Sequence, residues 1–478
     1  MATNKSGIAK NLILSMTAQI ISLTVSFVLG FVVPKFIDEF QYSYWQMYVL
    51  YVGYVGVLHF GLLDGIVLRY SQYNYDELDK TRMRSQFQFL LVFTSVLTGL
   101  GCLIFSFLLG GAYLWIAILV CCGIITKNIF TYTSYTFQIT NRINKYAILV
   151  IAQRVVYAVV VVILLAIGVN HFIWYCIAEL FGDVFAIVLG SFFNKGMYFG
   201  KALPIKECFK ESWINISAGL FLMIANLSSA LIVGAAKMII QWRWDELVFG
   251  KIAFSFSITN LFLTFVTAIS VVLFPSLKRM DEKELPALYG KIRNIISPLL
   301  FFALILYFPV CKILQLWLPN YTVSLPYLGI LLPTIVFSSK VSLLTNNYLK
   351  AYRKEKQMLL VNAISIAVGV GLFALFAYGI SSLDFVLYAV VFTVIIRSIA
   401  SEIVVMKGIG TMNEETIFDF IIEILMSVIF ILVTKYTGLL MGGLIYLIAL
   451  IIYFIIYRKS LAMMFKRVKK TARKKDED

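Results

Sequence analysis

Charge is scarce in this 478-residue chain: only 14% of its residues are Asp, Glu, Lys or Arg, whereas 61% are hydrophobic. The mean hydropathy of +0.89 lies far above the value expected of a chain that needs apolar residues for one core only. This composition excludes an ordinary water-soluble globular protein. We therefore expect lipid to surround most of the chain.

Motifs that would indicate an enzyme or an ATP-driven machine are also missing. The sequence contains no G-x-x-x-x-G-K-[ST] loop, no H-E-x-x-H motif and no plausible Ser-His-Asp set. The six cysteines show no metal-ligand spacing against the two histidines, His59 and His171, and are interpreted as packing residues. The sequence therefore predicts no enzyme activity, no cofactor and no metal site.

The 41 lysines and arginines outnumber the 25 aspartates and glutamates, which gives a formal net charge of +16. A nucleic-acid-binding protein would cluster its basic residues on a water-exposed face. Here they lie in short segments between long apolar runs, which is typical of a membrane protein. We therefore expect membrane lipids, and no nucleic acid, among the partners.

Long apolar runs, by contrast, are abundant. A transmembrane helix needs ~20 mostly apolar residues, and the chain contains fourteen such runs. The first is longer than the apolar region of a secretory signal and is expected to remain in the protein. The fold prediction is an all-α polytopic membrane protein with about 14 transmembrane helices. The predicted spans are residues 8–33, 44–68, 85–109, 112–137, 147–169, 171–193, 213–240, 247–275, 295–318, 325–349, 358–380, 383–406, 417–435 and 437–457.

The distribution of basic residues predicts the orientation. The first ten residues and the segments after every even-numbered span hold 31 of the 41 lysines and arginines. The alternating segments hold Lys35 and Arg243, and Lys435 lies at the end of span 13. Basic residues resist translocation, so both termini are predicted to be cytoplasmic. The expected localisation is multi-pass in the cytoplasmic membrane. The outward-facing connections are too short for an external domain.

A weak internal similarity at an offset of 202 to 213 residues pairs spans 1–6 with spans 7–12. It aligns Lys35 with Lys237, and Lys127 with Lys340. Lys127 and Lys340 each lie 15 residues after the start of their span. Two copies with an even number of spans enter the membrane from the same side, as in transporters with two rocking halves around a cavity. The predicted domains are a pseudo-two-fold pair of six-helix lobes, a C-terminal helix pair and a basic tail: 1–200, 201–410, 411–457 and 458–478.

Several ionisable residues lie inside predicted spans, where charge is costly and usually faces an interior or a wet cavity. The candidate cavity cations that would bind an anionic substrate are Lys127, Lys340, Arg154 and Arg397. The alternative for the lysines is structural pairing or snorkelling to the surface. The candidate ion-coupling acids are Glu179, Asp183 and Asp64, with a static helix-to-helix pair as the alternative.

One segment resembles a known family. Phe60–Tyr70, with the sequence FGLLDGIVLRY, follows YWQMY at Tyr44–Tyr48 and looks like the polysaccharide flippases of the Wzx type. These belong to the multidrug/oligosaccharidyl-lipid/polysaccharide (MOP) exporter superfamily. Within the segment, the G-x-x-x-G spacing of Gly61 and Gly65 more often marks close helix packing than recognition.

The resemblance implies two six-helix lobes in a V around a cationic cavity, with two added C-terminal helices. It also implies the substrate, an oligosaccharide on undecaprenyl diphosphate that is flipped from the inner to the outer leaflet. The family's cavity arginines have no secure match here, so the four candidate cations rest on position and charge alone. Polysaccharide polymerase and assembly proteins are further candidate partners.

Three other functions stay open on the sequence. An ion-coupled multidrug or metabolite antiporter of the same superfamily would favour an acidic cavity, which the cationic excess argues against. A flippase for peptidoglycan precursor fits the fourteen-span layout equally well. A sugar polymerase or glycosyltransferase would usually need a sizeable external loop, and the chain has none.

Overall fold

The computed structural model describes residues 5–278, 284–352 and 354–457, and of residues 5–16, 229 and 265–278 it describes the backbone alone. The predicted basic tail, residues 458–478, lies outside the described residues. Within them the chain is helical and contains no β-strand. The helices are α1 (Lys5–Phe36), α2 (Glu39–Val52), α3 (Leu62–Tyr70), α4 (Lys80–Leu108), α5 (Gly111–Ile139), α6 (Ile143–Ala166), α7 (Phe172–Phe193), α8 (Ile205–Arg243), α9 (Glu246–Lys278), α10 (Leu285–Ala303), α11 (Tyr307–Trp317), α12 (Leu325–Leu331), α13 (Pro333–Lys340), α14 (Asn346–Ala351), α15 (Glu355–Ala374), α16 (Leu383–Ile409), α17 (Glu414–Tyr436) and α18 (Leu439–Ile456).

The helices match the predicted spans. Among the described residues, eleven helices are long and apolar enough to cross a membrane, and the number rises to fourteen if three bent pairs each form one span. The bent pairs coincide with predicted spans 2, 7 and 10, and the bends measure 54°, 60° and 42°. The predicted all-α polytopic fold is therefore confirmed, and the protein is a multi-pass membrane protein.

The break in span 2 has a local cause in the backbone. Phe60 and Gly61 both have positive φ angles, of 49° and 87°, so neither can continue a right-handed helix. Glycine adopts this conformation without steric cost, whereas phenylalanine does so only under strain. A short 3₁₀ helix, Val55–His59, leads into this turn, and α3 starts immediately after it.

The helices group into two compact units, Met1–Ala253 and Phe254–Asp478. In unit 1, α8 packs closely against α3 and also against α4. The internal similarity assigns α8 to the start of the second copy, so this grouping does not coincide with the boundary at residue 200. The lobe boundaries and the repeat remain predictions.

Glycines bring α3 and α8 together in unit 1. A Cβ atom on Gly65 would lie 1.8 Å from the backbone oxygen of Asn215, and one on Gly219 would lie 2.1 Å from that of Gly61. Such distances leave no room for any side chain. The G-x-x-x-G spacing thus serves close helix packing, the more common of its two roles.

In unit 2, α16 is the most enclosed of the membrane-spanning helices and packs against α12, α13 and α15. Span 10 is discontinuous there. It bends at Leu332, just before Pro333, whose ring cannot occupy an uninterrupted helix interior. A π-helical turn, Val341–Thr345, follows Lys340 directly. Such turns interrupt the regular ladder and often mark functional positions.

Two buried charge clusters as candidate functional sites

The Lys127 cluster lies in unit 1, between α5 and α7. The Nζ atom of Lys127 is 2.6 Å from Oε1 of Glu179 and 2.9 Å from Oδ2 of Asp183. The two acids are four residues apart and therefore share one face of α7. A single lysine thus binds two of the three acids that the sequence suggested for ion coupling, so a predicted cation and two predicted coupling acids lie in one site.

Two residues of α6 complete this cluster. Gln153 donates a hydrogen bond of 3.0 Å to Oδ1 of Asp183, while Arg154 acts electrostatically on both Lys127 and Glu179. Arg154 makes no ion pair within 4 Å of an acid in the part of the chain that is described. Two cations therefore face two carboxylates, and the cluster is close to neutral when all four groups are ionised.

The Lys340 cluster lies in unit 2, where α13, α16 and α17 meet. The Nζ atom of Lys340 is 2.5 Å from Oε1 of Glu402 and 2.6 Å from Oε2 of Glu423. Arg293 of α10 lies 2.9 Å from the other oxygen of Glu402 and also binds Asp419, which accepts a hydrogen bond of 2.6 Å from the Tyr457 hydroxyl. Four helices are tied together in this way.

The two clusters differ in access and in charge balance. The Lys127 side chain is 22% exposed, whereas Lys340 and Glu402 are fully buried. The Lys340 cluster contains three carboxylates, those of Glu402, Asp419 and Glu423, against two cations. The Lys127 cluster is therefore partly exposed and balanced in charge, whereas the Lys340 cluster is buried and has one more acid than cations.

The remaining predicted residues lie elsewhere. Arg397 is buried on α16, where its Nε donates a hydrogen bond of 2.9 Å to Asn362. Asp64 is buried at the start of α3, with one carboxylate oxygen 3.7 Å from Nε2 of His59. Nδ1 of that histidine accepts the backbone N–H of Gly61 at 3.0 Å, which ties the pair to the break in span 2.

For both lysines the observed geometry is the pairing alternative, since each binds two carboxylates. A role as substrate-binding cations stays a prediction for all four candidates. Glu402 and Glu423 were missed by the sequence reasoning, although both lie inside predicted spans 12 and 13, and an acid within a span was the available signal. Arg293 was not detectable in this way, because it falls just outside predicted span 9.

The fold is similar to that of several solved structures. No family model and no curated protein matches the sequence. The solved structure of the lipid II flippase MurJ in an inward closed conformation has a TM-score of 0.67 at 13% identity, covering 95% of this chain and 100% of that one.

Two further solved structures belong to transporters of the MOP superfamily. An inward-facing multidrug resistance MATE family transporter has a TM-score of 0.61 at 13% identity, covering 82% of this chain and 98% of its own. A MOP superfamily transporter from Pyrococcus furiosus, described by the reverse polarity of its binding pocket, has a TM-score of 0.51 at 13% identity. The match covers 84% of this chain and 96% of that one. At these identities the likeness shows the fold, which is one used by transporters and flippases.

Proposed function

We propose that the protein is a flippase that translocates an undecaprenyl-diphosphate-linked oligosaccharide from the inner to the outer leaflet by alternating access. The cargo would be an O-antigen, capsular or exopolysaccharide repeat unit. The protein would act in the cytoplasmic membrane with both termini in the cytoplasm, next to polysaccharide polymerase and assembly proteins. We propose that it is a transporter and not an enzyme.

The observation that carries this proposal is the extent of the match to a flippase. The MurJ structure leaves only a twentieth of this chain unmatched, fewer residues than the 41 that α17 and α18 contain. The match must therefore extend into the C-terminal helix pair. The MATE transporter leaves 18% of the chain unmatched, enough to omit that pair altogether. This difference favours a lipid flippase over a small-molecule antiporter.

The Lys127 cluster supplies a means of holding the carrier's diphosphate. Lys127 and Arg154 are cations in a low-dielectric setting, where a phosphate group binds strongly to ammonium and guanidinium groups. In the observed conformation Glu179 and Asp183 occupy Lys127. A diphosphate that displaced these acids would find a partly exposed lysine already fixed in position by the packing of α5 against α7.

The same acids can couple transport to an ion. Binding of a proton or a sodium ion at Glu179 or Asp183 would cancel one negative charge and leave the cluster with a net charge of +1. The cluster would then attract an anionic head group more strongly, so ion and cargo would assist each other's binding. Asp64, which faces His59 at the break of span 2, is a second candidate for this ion.

The unit 2 candidates suit a different role. Lys340 and Arg397 are buried, and both carboxylates around Lys340 are held at ion-pair distance. For them to meet a substrate, the α13–α16–α17 junction would have to open. We propose that in this conformation they hold the helices of unit 2 together.

A second candidate function is the export of peptidoglycan precursor, favoured by the name of the MurJ structure. The cargo found after loss of the gene separates the two. Deletion should cause a polyprenyl-diphosphate carrier bearing a peptide-free oligosaccharide to accumulate, as identified by mass spectrometry of extracted lipids. The intact gene should reverse the accumulation and a Lys127→Ala copy should not. Accumulation of a carrier with a peptide-bearing disaccharide would contradict the proposed cargo and support the alternative.

A further inference from the structure

A cluster of aromatic side chains occupies one end of unit 1, and none of the residues of the two charge clusters belongs to it. It consists of Tyr44 and Tyr51 of α2, Tyr113 of α5 and Trp242 at the end of α8. Beside them lie two planar polar side chains, those of Gln241 on α8 and Glu246 on α9. We call these six residues the aromatic cluster.

Hydrogen bonds join the members of the cluster. The Tyr113 hydroxyl donates to Oε1 of Glu246 at 2.6 Å, and the Trp242 indole N–H donates to the Tyr51 hydroxyl at 3.0 Å. Tyr51 in turn donates to Oε1 of Gln241. The rings of Tyr44 and Tyr113 meet edge to face with centroids 6.1 Å apart. These contacts form two groups, and within each group the side chains are held in fixed relative positions before any ligand arrives. The groups are neighbours, since Tyr51 acts electrostatically on Tyr113.

The cluster keeps unused capacity for binding. Trp242 is 62% exposed, so much of its side chain is open to a ligand. The second carboxylate oxygen of Glu246 and the side-chain amide nitrogen of Gln241 make no hydrogen bond to any residue that the structure describes. The cluster thus contains a flat apolar surface, a charged acceptor and a neutral donor.

These three elements match the chemistry of a sugar. A pyranose ring has an apolar face of C–H groups, which stacks on an aromatic ring, and a rim of hydroxyl groups that both donate and accept hydrogen bonds. A carboxylate and an amide next to an aromatic platform can satisfy that rim. An acyl chain, in contrast, would leave both polar groups without a partner, which is unfavourable.

Tryptophan and tyrosine are also common at membrane interfaces for a general reason, because their rings suit the head-group region. Trp174, the third residue of α7, illustrates that case. It is 52% exposed, and its indole makes no hydrogen bond to a described residue. It lies at the same end of unit 1, because Phe172 at the start of α7 contacts Tyr44 with ring centroids 5.4 Å apart. Trp174 therefore provides a matched control.

We propose that the aromatic cluster is a carbohydrate subsite that stacks a sugar on Trp242 and binds its hydroxyl groups through Glu246 and Gln241. On the predicted topology this end of unit 1 faces outward, where α2, α5 and α9 begin and α8 ends. The subsite would receive the glycan as it emerges, while the diphosphate head is held elsewhere. This assignment of the glycan as part of a lipid-linked cargo rests on the proposed function.

Direct binding tests the subsite without any transport. The full-length protein in lipid nanodiscs is mixed with the soluble probes maltotriose or triacetylchitotriose, and saturation-transfer difference NMR reports which sugar protons contact the protein. The wild type and Trp174→Ala should both bind at least one probe through its C–H face. Trp242→Ala should weaken that binding about tenfold, the size expected when an aromatic platform is lost.

A second variant covers the polar half of the site. Glu246→Gln keeps the shape but removes the charge, and it should weaken binding by about threefold to tenfold. The inference is overturned if the wild type binds neither probe. It is also overturned if Trp242→Ala and Trp174→Ala behave alike, since that outcome is expected of an interfacial aromatic belt.

Flipping of a lipid-linked oligosaccharide in proteoliposomes is measured separately. Sugar binding by a wild type that does not flip the carrier would contradict the proposed function and leave the subsite intact. Flipping that is equally fast in Trp242→Ala and in the wild type would contradict the subsite and leave the function intact.

Discussion

Lys127 and Lys340 lie at matching positions in the internal similarity, yet the two units surround them differently. In unit 1 a single helix, α7, supplies both acids, and the lysine remains partly exposed. In unit 2 the acids come from α16 and α17, and the lysine is completely buried. One arrangement fixes a charge between two neighbouring helices, while the other joins several helices into one body.

We propose that this difference separates a site that exchanges partners from one that does not. In this proposal the partly exposed, balanced cluster accepts an ion or a phosphate group once Lys127 exchanges its carboxylate partners. A sealed cluster contributes to stability mainly because removing its central cation, Lys340, leaves Glu423 buried without an ion-pair partner. We therefore expect the alanine substitution to act mainly on stability at Lys340 and mainly on transport at Lys127.

The largest expected effect is the loss of stability in Lys340→Ala. The change leaves Glu402 and Glu423 facing each other without their shared cation, and breaking a buried pair in this way costs about 4 kcal/mol. The melting temperature of the detergent-purified protein should fall sharply. Adding Glu423→Gln to this variant should recover part of the lost stability. An unchanged melting temperature in the single variant would remove the distinction between the two clusters.

Gly65→Ala tests whether unit 1 is held mainly by close packing. The new Cβ atom would collide with the backbone of Asn215, so α3 and α8 must separate at a cost of about 2–3 kcal/mol. Gly99→Ala on α4 is the control, since nothing lies within 4 Å of its new Cβ atom. The two variants should differ in melting temperature, and equal values would show that α3 and α8 tolerate separation.

Lys127→Ala should have a smaller effect on folding, of about 2 kcal/mol, because Arg154 and Gln153 remain beside the acids. Transport should nevertheless fall at least about tenfold, the loss expected when a charge-assisted contact to substrate is removed. Flipping in proteoliposomes is normalised to the amount of folded protein. Lys127→Arg, which keeps the charge, should retain more activity than the alanine variant.

Asp419→Asn should have the smallest effect. This carboxylate is 18% exposed, and Glu402 remains as a partner for Arg293. The loss should be about 1 kcal/mol, visible as a small decrease in melting temperature with normal transport. A decrease as large as that of Lys340→Ala would show that the whole five-charge network acts as one unit.

Much of the fold follows from hydrophobic runs and charge alternation, because lipid demands ~20 apolar residues for each span. The bends within spans 2 and 10 could not be predicted from hydrophobic runs or charge alternation. The bend at span 2 depends on the positive φ angle of Phe60, a residue with no intrinsic preference for it. In span 10, Pro333 gave a visible signal, whereas the π-helical turn after Lys340 gave none.

The sequence indicated the individual charged residues of the Lys127 cluster, but it did not indicate which of them pair with each other. The sequence identified Lys127, Glu179 and Asp183 separately, since each is an ionisable group inside a span. Their meeting depends on which faces of α5 and α7 pack together, and that is decided by neighbouring helices. The pairing of Lys340 with Glu423 spans 83 residues of sequence and involves the C-terminal helix pair, which has no counterpart in the first copy.

The central proposal is that the protein moves a lipid-linked glycan. The direct test is a proteoliposome assay in which the purified wild type, the Lys127→Ala variant and protein-free vesicles receive undecaprenyl diphosphate bearing an oligosaccharide. We expect the wild type to expose the glycan on the opposite leaflet, Lys127→Ala to do so at least about tenfold more slowly, and protein-free vesicles not to do so. Equal rates in the wild type and in protein-free vesicles would contradict it.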